Sequence, residues 1–162
     1  MPNSPLHQVA SYFKESKYLE AEKLLWDLYS KSKKDPVILK TLGLALLLQA
    51  KHRGSLKIYK EAYELKRDDF DIINNLSHLY LKFEEFQKSF DLAIKANELD
   101  PNKNQPFITL LELDLRKREF QSAVSRVDEI TKRIDFDSLI QNPNVLYSIL
   151  DSYVAIKNNN DL

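Results

Sequence analysis

The sequence predicts an all-α fold, a solenoid of antiparallel helix hairpins, and three observations support this prediction. A 34-residue self-similarity runs through the chain and places four small residues in register, Ala21, Ser55, Ser89 and Ala123. The apolar residues around them are spaced by three, four and seven, which is the spacing of one helix face. Only two glycines occur in 162 residues, and strand-like alternation is absent. A fixed period of this length is typical of stacked helical hairpins.

Columns of larger residues flank the small-residue column in every unit. Three residues before it stand Tyr18, His52, Phe86 and Phe120, and four residues after it stand Leu25, Tyr59, Ala93 and Val127. Where the two helices of a hairpin cross, a side chain of one faces the backbone of the other, and a small residue allows their close approach. We therefore expect the small-residue column to mark the crossing and the flanking columns to belong to the core.

The period divides the chain, as one domain over residues 1–162, into four units of two helices each. Their approximate bounds are 3–35, 36–69, 70–103 and 104–137, and a further helix is predicted over 144–158. Proline follows a capping or turn residue at Ser4-Pro5, Asp35-Pro36, Asp100-Pro101 and Asn142-Pro143. This pairing suits a helix start or a linker, and Asp68-Asp69 takes its place between the second and third units.

The turns inside the hairpins contain no glycine. They hold Glu15-Ser16-Lys17, Ala50-Lys51, Glu84-Glu85 and Arg118-Glu119. A glycine that tolerates positive φ commonly ends a helix at such a turn. These turns have to close without one.

The last predicted helix resembles half a repeat. The apolar pattern of the first helix of a unit recurs at Leu146, Ile149, Leu150 and Tyr153, and the other faces of the predicted helix are apolar as well. A terminal helix on which nothing stacks is expected to have a polar outer face. We therefore expect either a longer chain or self-association through this helix, which would give a homo-oligomer.

The repeat columns resemble the tetratricopeptide repeat (TPR) family. The third unit matches the family pattern best, with Ile73, Leu76, Ser77, Tyr80, Phe86, Ser89, Ala93, Ala96 and Pro101. The second follows with Leu39, Leu42, Gly43, Leu46, Ser55, Tyr59 and Ala62. The first and fourth depart from it, since Pro5 and Gln8 fill apolar positions and Asp114 and Ile130 replace the Tyr and the Ala. The resemblance covers about residues 3 to 135 and implies a right-handed α-solenoid.

The resemblance also implies where a ligand would bind. In this family the first helix of each hairpin lines a concave groove, and the chain would act as a protein–protein interaction scaffold that holds a peptide or protein segment there. The corresponding residues are His7, Lys40, Thr41, Leu44, Asn74, Asn75, His78, Lys82, Thr109, Glu112 and Arg116. Four of them form a polar ladder able to donate and accept hydrogen bonds, His7, Thr41, Asn75 and Thr109. The same polar side chains also suit a face that is merely solvated.

Two other functions stay open at this point. TPR arrays often precede sulfotransferase or glycosyltransferase domains, so the chain is alternatively the substrate-selecting N-terminal domain of a larger transferase. The second alternative is the self-association module described above. A receptor for C-terminal carboxylates is disfavoured, because Asp71 stands where the family uses a cation and would repel such a group.

Charge and composition exclude several classes of protein. The 24 basic residues are balanced by 24 acidic ones, whereas a nucleic-acid-binding surface usually shows a basic excess. The densest basic run, Lys31 to Lys34, is expected to be a solvated loop. The longest apolar run, Leu42 to Leu48, is too short for a membrane span, and Met1 to Tyr12 lacks the pattern of a secretory signal. We expect a cytoplasmic protein with no nucleic-acid or membrane partner.

Catalytic patterns are absent from the sequence. The three histidines, His7, His52 and His78, fall in different repeats, and no HExxH, CxxC, GxSxG or glycine-rich phosphate loop occurs. The chain has no cysteine, which excludes disulfides and thiolate chemistry. We therefore expect neither an enzyme activity nor a cofactor nor a bound metal.

Overall fold

The computed structural model describes residues 4–133 and, beyond them, residues 147, 150, 151, 153, 154, 157 and 158. Residues 4–133 form eight α-helices and no strand. The helices are α1 (Pro5–Lys14), α2 (Tyr18–Lys31), α3 (Pro36–Leu48), α4 (His52–Leu65), α5 (Phe70–Lys82), α6 (Phe86–Leu99), α7 (Gln105–Arg116) and α8 (Phe120–Arg133). The predicted all-α fold of antiparallel helix hairpins is confirmed.

The helices belong to two compact units, Met1–Leu79 and Tyr80–Leu162, with the boundary inside α5. In the first unit α1 packs against α2, α2 against α3, and α3 against α4. In the second unit α6 packs against α7, and α7 packs against α8. Consecutive helices that are joined by short turns and pack against each other are the arrangement expected of helical hairpins.

Side chains at the predicted boundaries cap the helices. Oδ1 of Asp35 accepts a hydrogen bond from the backbone N–H of Val37 at 2.9 Å, and Pro36 occupies the first helical position of α3. Oδ1 of Asp69 accepts from the N–H of Ile72 at 3.2 Å at the start of α5. Each bond satisfies a backbone donor that has no partner inside the helix. Pro101 instead lies in the linker before α7.

Each glycine-free turn closes with a non-glycine residue in the left-handed region of φ/ψ space. Its φ is between 55° and 60° at Ser16, Ala50, Glu84 and Arg118, which are 34 residues apart. The next residue donates its N–H to a carbonyl five residues earlier, at 2.8 to 2.9 Å, in the pairs Lys17 to Tyr12, Lys51 to Leu46, Glu85 to Tyr80 and Glu119 to Asp114. This is the Schellman pattern, in which the backbone bonds offset the steric cost of positive φ.

The small-residue column lies where the two helices of a hairpin pack most closely. Ala21, Ser55, Ser89 and Ala123 are all fully buried. In the hairpin of α3 and α4, Oγ of Ser55 donates to the carbonyl oxygen of Gly43 at 2.8 Å. A Cβ atom on Gly43 would lie 2.8 Å from Cε2 of Tyr59, closer than side-chain contacts allow. The Tyr59 ring therefore packs on the backbone of α3, which only glycine permits at that position.

The flanking columns are buried to different extents. Leu25, Tyr59, Ala93 and Val127 are at most 1% exposed, as expected for core positions. The aromatic and histidine column, Tyr18, His52, Phe86 and Phe120, is half-buried. The large core residues of the second unit form two groups, one around Leu111 and Val127 and one around Leu81 and Leu110.

Asp114 departs from the repeat pattern and is nevertheless buried. Its side chain is 4% exposed, and its Oδ2 accepts a hydrogen bond from Nε of Arg126 on α8 at 2.5 Å. Burial raises the pKa of the Asp114 carboxyl, and the bond and charge of Arg126 lower it only in part. The hairpin of α7 and α8 thus holds an ion pair where a Tyr or Leu would otherwise pack.

The predicted helix over 144–158 lies mostly outside the described residues. Those described within it are helical and exposed. They include four large apolar side chains that are between 49% and 63% exposed, Tyr147, Leu150, Tyr153 and Val154.

Replacing Ala50 by Gly is expected to stabilise the fold by about 0.5–1 kcal/mol, because relief of a strained positive φ outweighs the larger entropy of the unfolded chain. Urea denaturation of wild type and Ala50→Gly measures the difference. The matched control is Lys60→Gly on the exposed face of α4, which is expected to destabilise by about 1 kcal/mol. A destabilised Ala50→Gly variant would contradict the account of the turns.

Replacing Arg126 by Ala is expected to destabilise the protein by about 3 kcal/mol at pH 7, because the Asp114 carboxylate is left buried without its partner. The loss should shrink as the pH falls. A buried acid with a raised pKa holds its proton more tightly when folded, so its protonation relieves the penalty. Thermal unfolding of Arg126→Ala from pH 7 to pH 4 measures this. The double variant Asp114→Leu, Arg126→Leu is expected to recover most of the lost stability. If it does not, the loss in Arg126→Ala does not come from the unpaired Asp114 carboxylate.

Candidate functional site

The predicted groove residues lie on the first helix of each hairpin. In the first unit they are His7 on α1, Lys40, Thr41 and Leu44 on α3, and Asn74, Asn75 and His78 on α5. In the second unit they are Lys82 at the end of α5, and Thr109, Glu112 and Arg116 on α7. The two groups are described separately below.

An ion-pair cluster joins α3 to the start of α5 in the first unit. Nζ of Lys40 lies 3.0 Å from Oδ2 of Asp69 and 2.9 Å from Oδ2 of Asp71. The Lys40 side chain is 30% exposed and that of Asp69 is 17% exposed, whereas that of Asp71 is 62% exposed. We call these three residues the Lys40 cluster. With two carboxylates for one ammonium, it carries a net negative charge.

The ionisation of the Lys40 cluster is stabilised by its own contacts. Burial alone would raise the pKa of Asp69, but the bonds from Lys40 and from the N–H of Ile72 outweigh it and hold that pKa below its usual value. Burial would also lower the pKa of Lys40, and the hydrogen bonds to Asp71 and Asp69 raise it instead. Asp69 and Lys40 are therefore both charged at neutral pH.

Two buried polar atoms beside the Lys40 cluster have no hydrogen-bond partner within the described part of the chain. One is the hydroxyl of Tyr59, whose pKa is raised by burial and by the negative charges of Asp71 and Asp69. The other is Oδ1 of Asn74, one turn after Asp71 on α5. Since a buried polar atom without a partner is costly, hydrogen bonding at the junction of α3 and α5 is incomplete.

The polar ladder is largely engaged in bonds within its own helices. Oγ1 of Thr41 donates to the carbonyl of Val37 at 2.7 Å, and Nδ2 of Asn75 donates to the carbonyl of Asp71 at 2.8 Å. Thr109, only 5% exposed, donates to the carbonyl of Gln105 at 3.3 Å. Bonds to the carbonyl one turn earlier are common for such residues inside helices. His7 is exposed on α1, with Nδ1 2.9 Å from Oγ of Ser4.

The remaining groove residues differ between the units. In the first, Leu44 and His78 are half-buried. In the second, Lys82 and Arg116 are exposed and Glu112 is half-buried. Burial raises the pKa of the Glu112 carboxyl, and the positive charges of Arg116 and Lys82 oppose that rise. The second unit thus offers two exposed cations near one carboxyl group.

Sequence reasoning did not predict the Lys40 cluster. Lys40 was predicted only as one of the groove residues, and its ammonium binds two carboxylates. Asp69 was noticed only as a residue at a unit boundary. The signal that was available is the repeat register, which places Asp69 and Asp71 one repeat after Asp35 and Val37, near the start of the helix that follows α3 and α4.

The described residues form neither a metal site nor a membrane span. No three His, Cys, Asp or Glu side chains in this part of the chain lie close enough to hold a metal ion. No helix within it has the length and apolar content that a membrane span needs.

Comparisons with known proteins agree with the fold. No model of a known protein family matches the chain. The BBSome complex member BBS4 of Bos taurus is 29% identical over 86 residues, which are 53% of this chain and 16% of that protein. The chain therefore matches only about a sixth of the length of this relative.

Solved structures match over most of the chain. Yeast Tom70 has a TM-score of 0.73 at 19% identity, with coverage of 94% of this chain and 32% of that one. YrrB, described as a TPR protein with an unusual peptide-binding site, has a TM-score of 0.69 at 9% identity, with coverage of 93% and 81%. None of the three proteins is named as an enzyme. The repeat columns, the helix pairs and these structural matches together show that the chain has the tetratricopeptide-repeat fold.

Proposed function

We propose that the chain is a protein–protein interaction module whose first unit binds a peptide segment against α3 and α5. The observation that carries this proposal is the Lys40 cluster, which presents the exposed carboxylate of Asp71 beside the buried polar atoms of Tyr59 and Asn74 that have no partner. The resemblance of YrrB, described as having a peptide-binding site, supports the same kind of function. Exposed faces of helical repeat arrays are their usual binding surfaces.

The charge of the Lys40 cluster favours basic peptides. The Lys40 ammonium is held by two carboxylates, so it has little attraction left for a carboxylate of the partner. Asp71 is 62% exposed and has room to accept hydrogen bonds from a Lys or Arg side chain. A peptide with such a side chain is therefore favoured at this site, and a free C-terminal carboxylate is repelled. In the second unit, Lys82, Glu112 and Arg116 remain candidate contacts of a protein partner.

The proposal predicts the composition of peptides that bind. A phage-displayed library of random peptides, selected on the immobilised wild-type chain, is expected to enrich sequences that contain Lys or Arg. Calorimetry with an enriched peptide should show about tenfold weaker binding to Asp71→Asn, since a charge-assisted hydrogen bond is lost. Lys40→Met should bind the same peptide more tightly, because it leaves the negative charges of Asp69 and Asp71 uncompensated.

The control for these variants is Asp128→Asn on α8, which makes the same charge change at an exposed position of the second unit. It is expected to bind like the wild type. Circular dichroism checks that each variant is folded. If Lys40→Met does not fold, the comparison of Asp71→Asn with the wild type still tests the proposal. Enriched peptides that are acidic, or that bind Asp71→Asn and wild type equally, would refute the proposed site.

A further inference from the structure

A row of cations without acidic partners lies on α4 of the first unit. Arg53, Lys57 and Lys60 are spaced by four and three residues, so they share one helix face and extend over about 10 Å along it. All three are exposed, and none forms an ion pair with a described residue. Among the described residues, seven other cations each bind a carboxylate, namely Lys17, Lys31, Lys40, Lys51, Arg67, Lys88 and Arg126. The row is therefore a local positive surface on a chain with no net charge.

These three cations line a surface cavity of about 350 Å³ together with Leu56 and Glu61. Leu56 is half-buried and gives the cavity an apolar part. Glu61 is the carboxylate of the lining, and its Oε2 already accepts a hydrogen bond from the hydroxyl of Tyr29 on α2 at 2.9 Å. That bond raises the pKa of Tyr29, so the hydroxyl keeps its proton. The cations outnumber the single carboxylate three to one.

An exposed aromatic residue adjoins the cavity through Tyr29. The indole ring of Trp26 meets the Tyr29 ring edge-on, with centroids 5.4 Å apart, and Nε1 of Trp26 lies 3.3 Å from Oε1 of Glu22. These contacts fix the orientation of Trp26, although 40% of its surface stays exposed. An aromatic ring that is held in place by such contacts and is still partly exposed is typical of an anchor position in protein interfaces.

We propose that this α2/α4 surface, formed by Trp26, Arg53, Leu56, Lys57 and Lys60, binds an acidic protein segment that carries an apolar side chain. The unpaired cations attract the carboxylates of the segment, and Leu56 and Trp26 cover its apolar side chain. An acidic segment fits better than nucleic acid, because the row is only about 10 Å long and its lining includes the apolar Leu56 and the carboxylate of Glu61. Nucleic-acid surfaces carry a wider basic excess. The surface is distinct from the Lys40 cluster, so it does not depend on the function proposed above.

The chain's single tryptophan makes the proposal directly measurable. The probe is a synthetic peptide of alternating Glu and Leu, roughly a dozen residues long, which has no fluorescence of its own. Its addition is expected to change the emission of Trp26 saturably, and affinity should fall as salt is raised. The double variant Lys57→Glu, Lys60→Glu should weaken binding of the peptide by about tenfold or more, because two attractive charges become repulsive. A peptide with Gln in place of Glu should not bind.

The matched control is Lys33→Glu, Lys34→Glu, which makes the same change in net charge at two exposed lysines between α2 and α3. It is expected to bind the acidic peptide like the wild type. Trp26→Phe, studied with a fluorescein-labelled peptide, is expected to bind more weakly but still measurably. The proposal is overturned if the emission of Trp26 does not change, or if both double variants bind equally. Tighter binding of an oligothymidylate than of the acidic peptide would assign the surface to nucleic acid instead.

Discussion

The close crossing of the two helices in each hairpin is the constraint on which the rest of the fold depends. It is clearest between α3 and α4, where Ser55 donates to the Gly43 carbonyl and the Tyr59 ring rests on the glycine backbone. The equivalent positions Ala21, Ser89 and Ala123 are fully buried as well. Because the helices approach so closely, their flanking columns meet and form the core.

The tight hairpins impose a cost at their turns. Each turn places one residue with a side chain at positive φ, and the backbone bond that follows it compensates for the strain. The sequence predicted where these turns lie, but it did not predict how they close. No residue in them is a glycine, and a left-handed conformation at Ala50 is decided by the packing of the helices on either side.

Individual ion pairs and hydrogen bonds modify the repeat at particular positions. Asp114 breaks a column of Tyr and Leu residues, and it is tolerated because Arg126 on the facing helix neutralises it. Lys40 was predicted to be one residue of a groove, and its ammonium is held by Asp69 and Asp71. The consequence is a cluster with two carboxylates and one ammonium, which carries a net negative charge. Thr109 was predicted to offer a hydroxyl, and burial together with its bond to Gln105 removes that possibility.

The sequence by itself determined the helices, their pairing and the small-residue crossings. These features follow from the spacing of residues along one helix and from a period that repeats it, so a single chain is enough to recognise them. Only the tertiary structure decided the charge of the candidate sites. Lys40 meets carboxylates 29 and 31 positions away, whereas Arg53, Lys57 and Lys60 on α4 form no ion pair within the described part of the chain. Electrostatics depends on distances between side chains that lie far apart in sequence, and folding alone brings those side chains together.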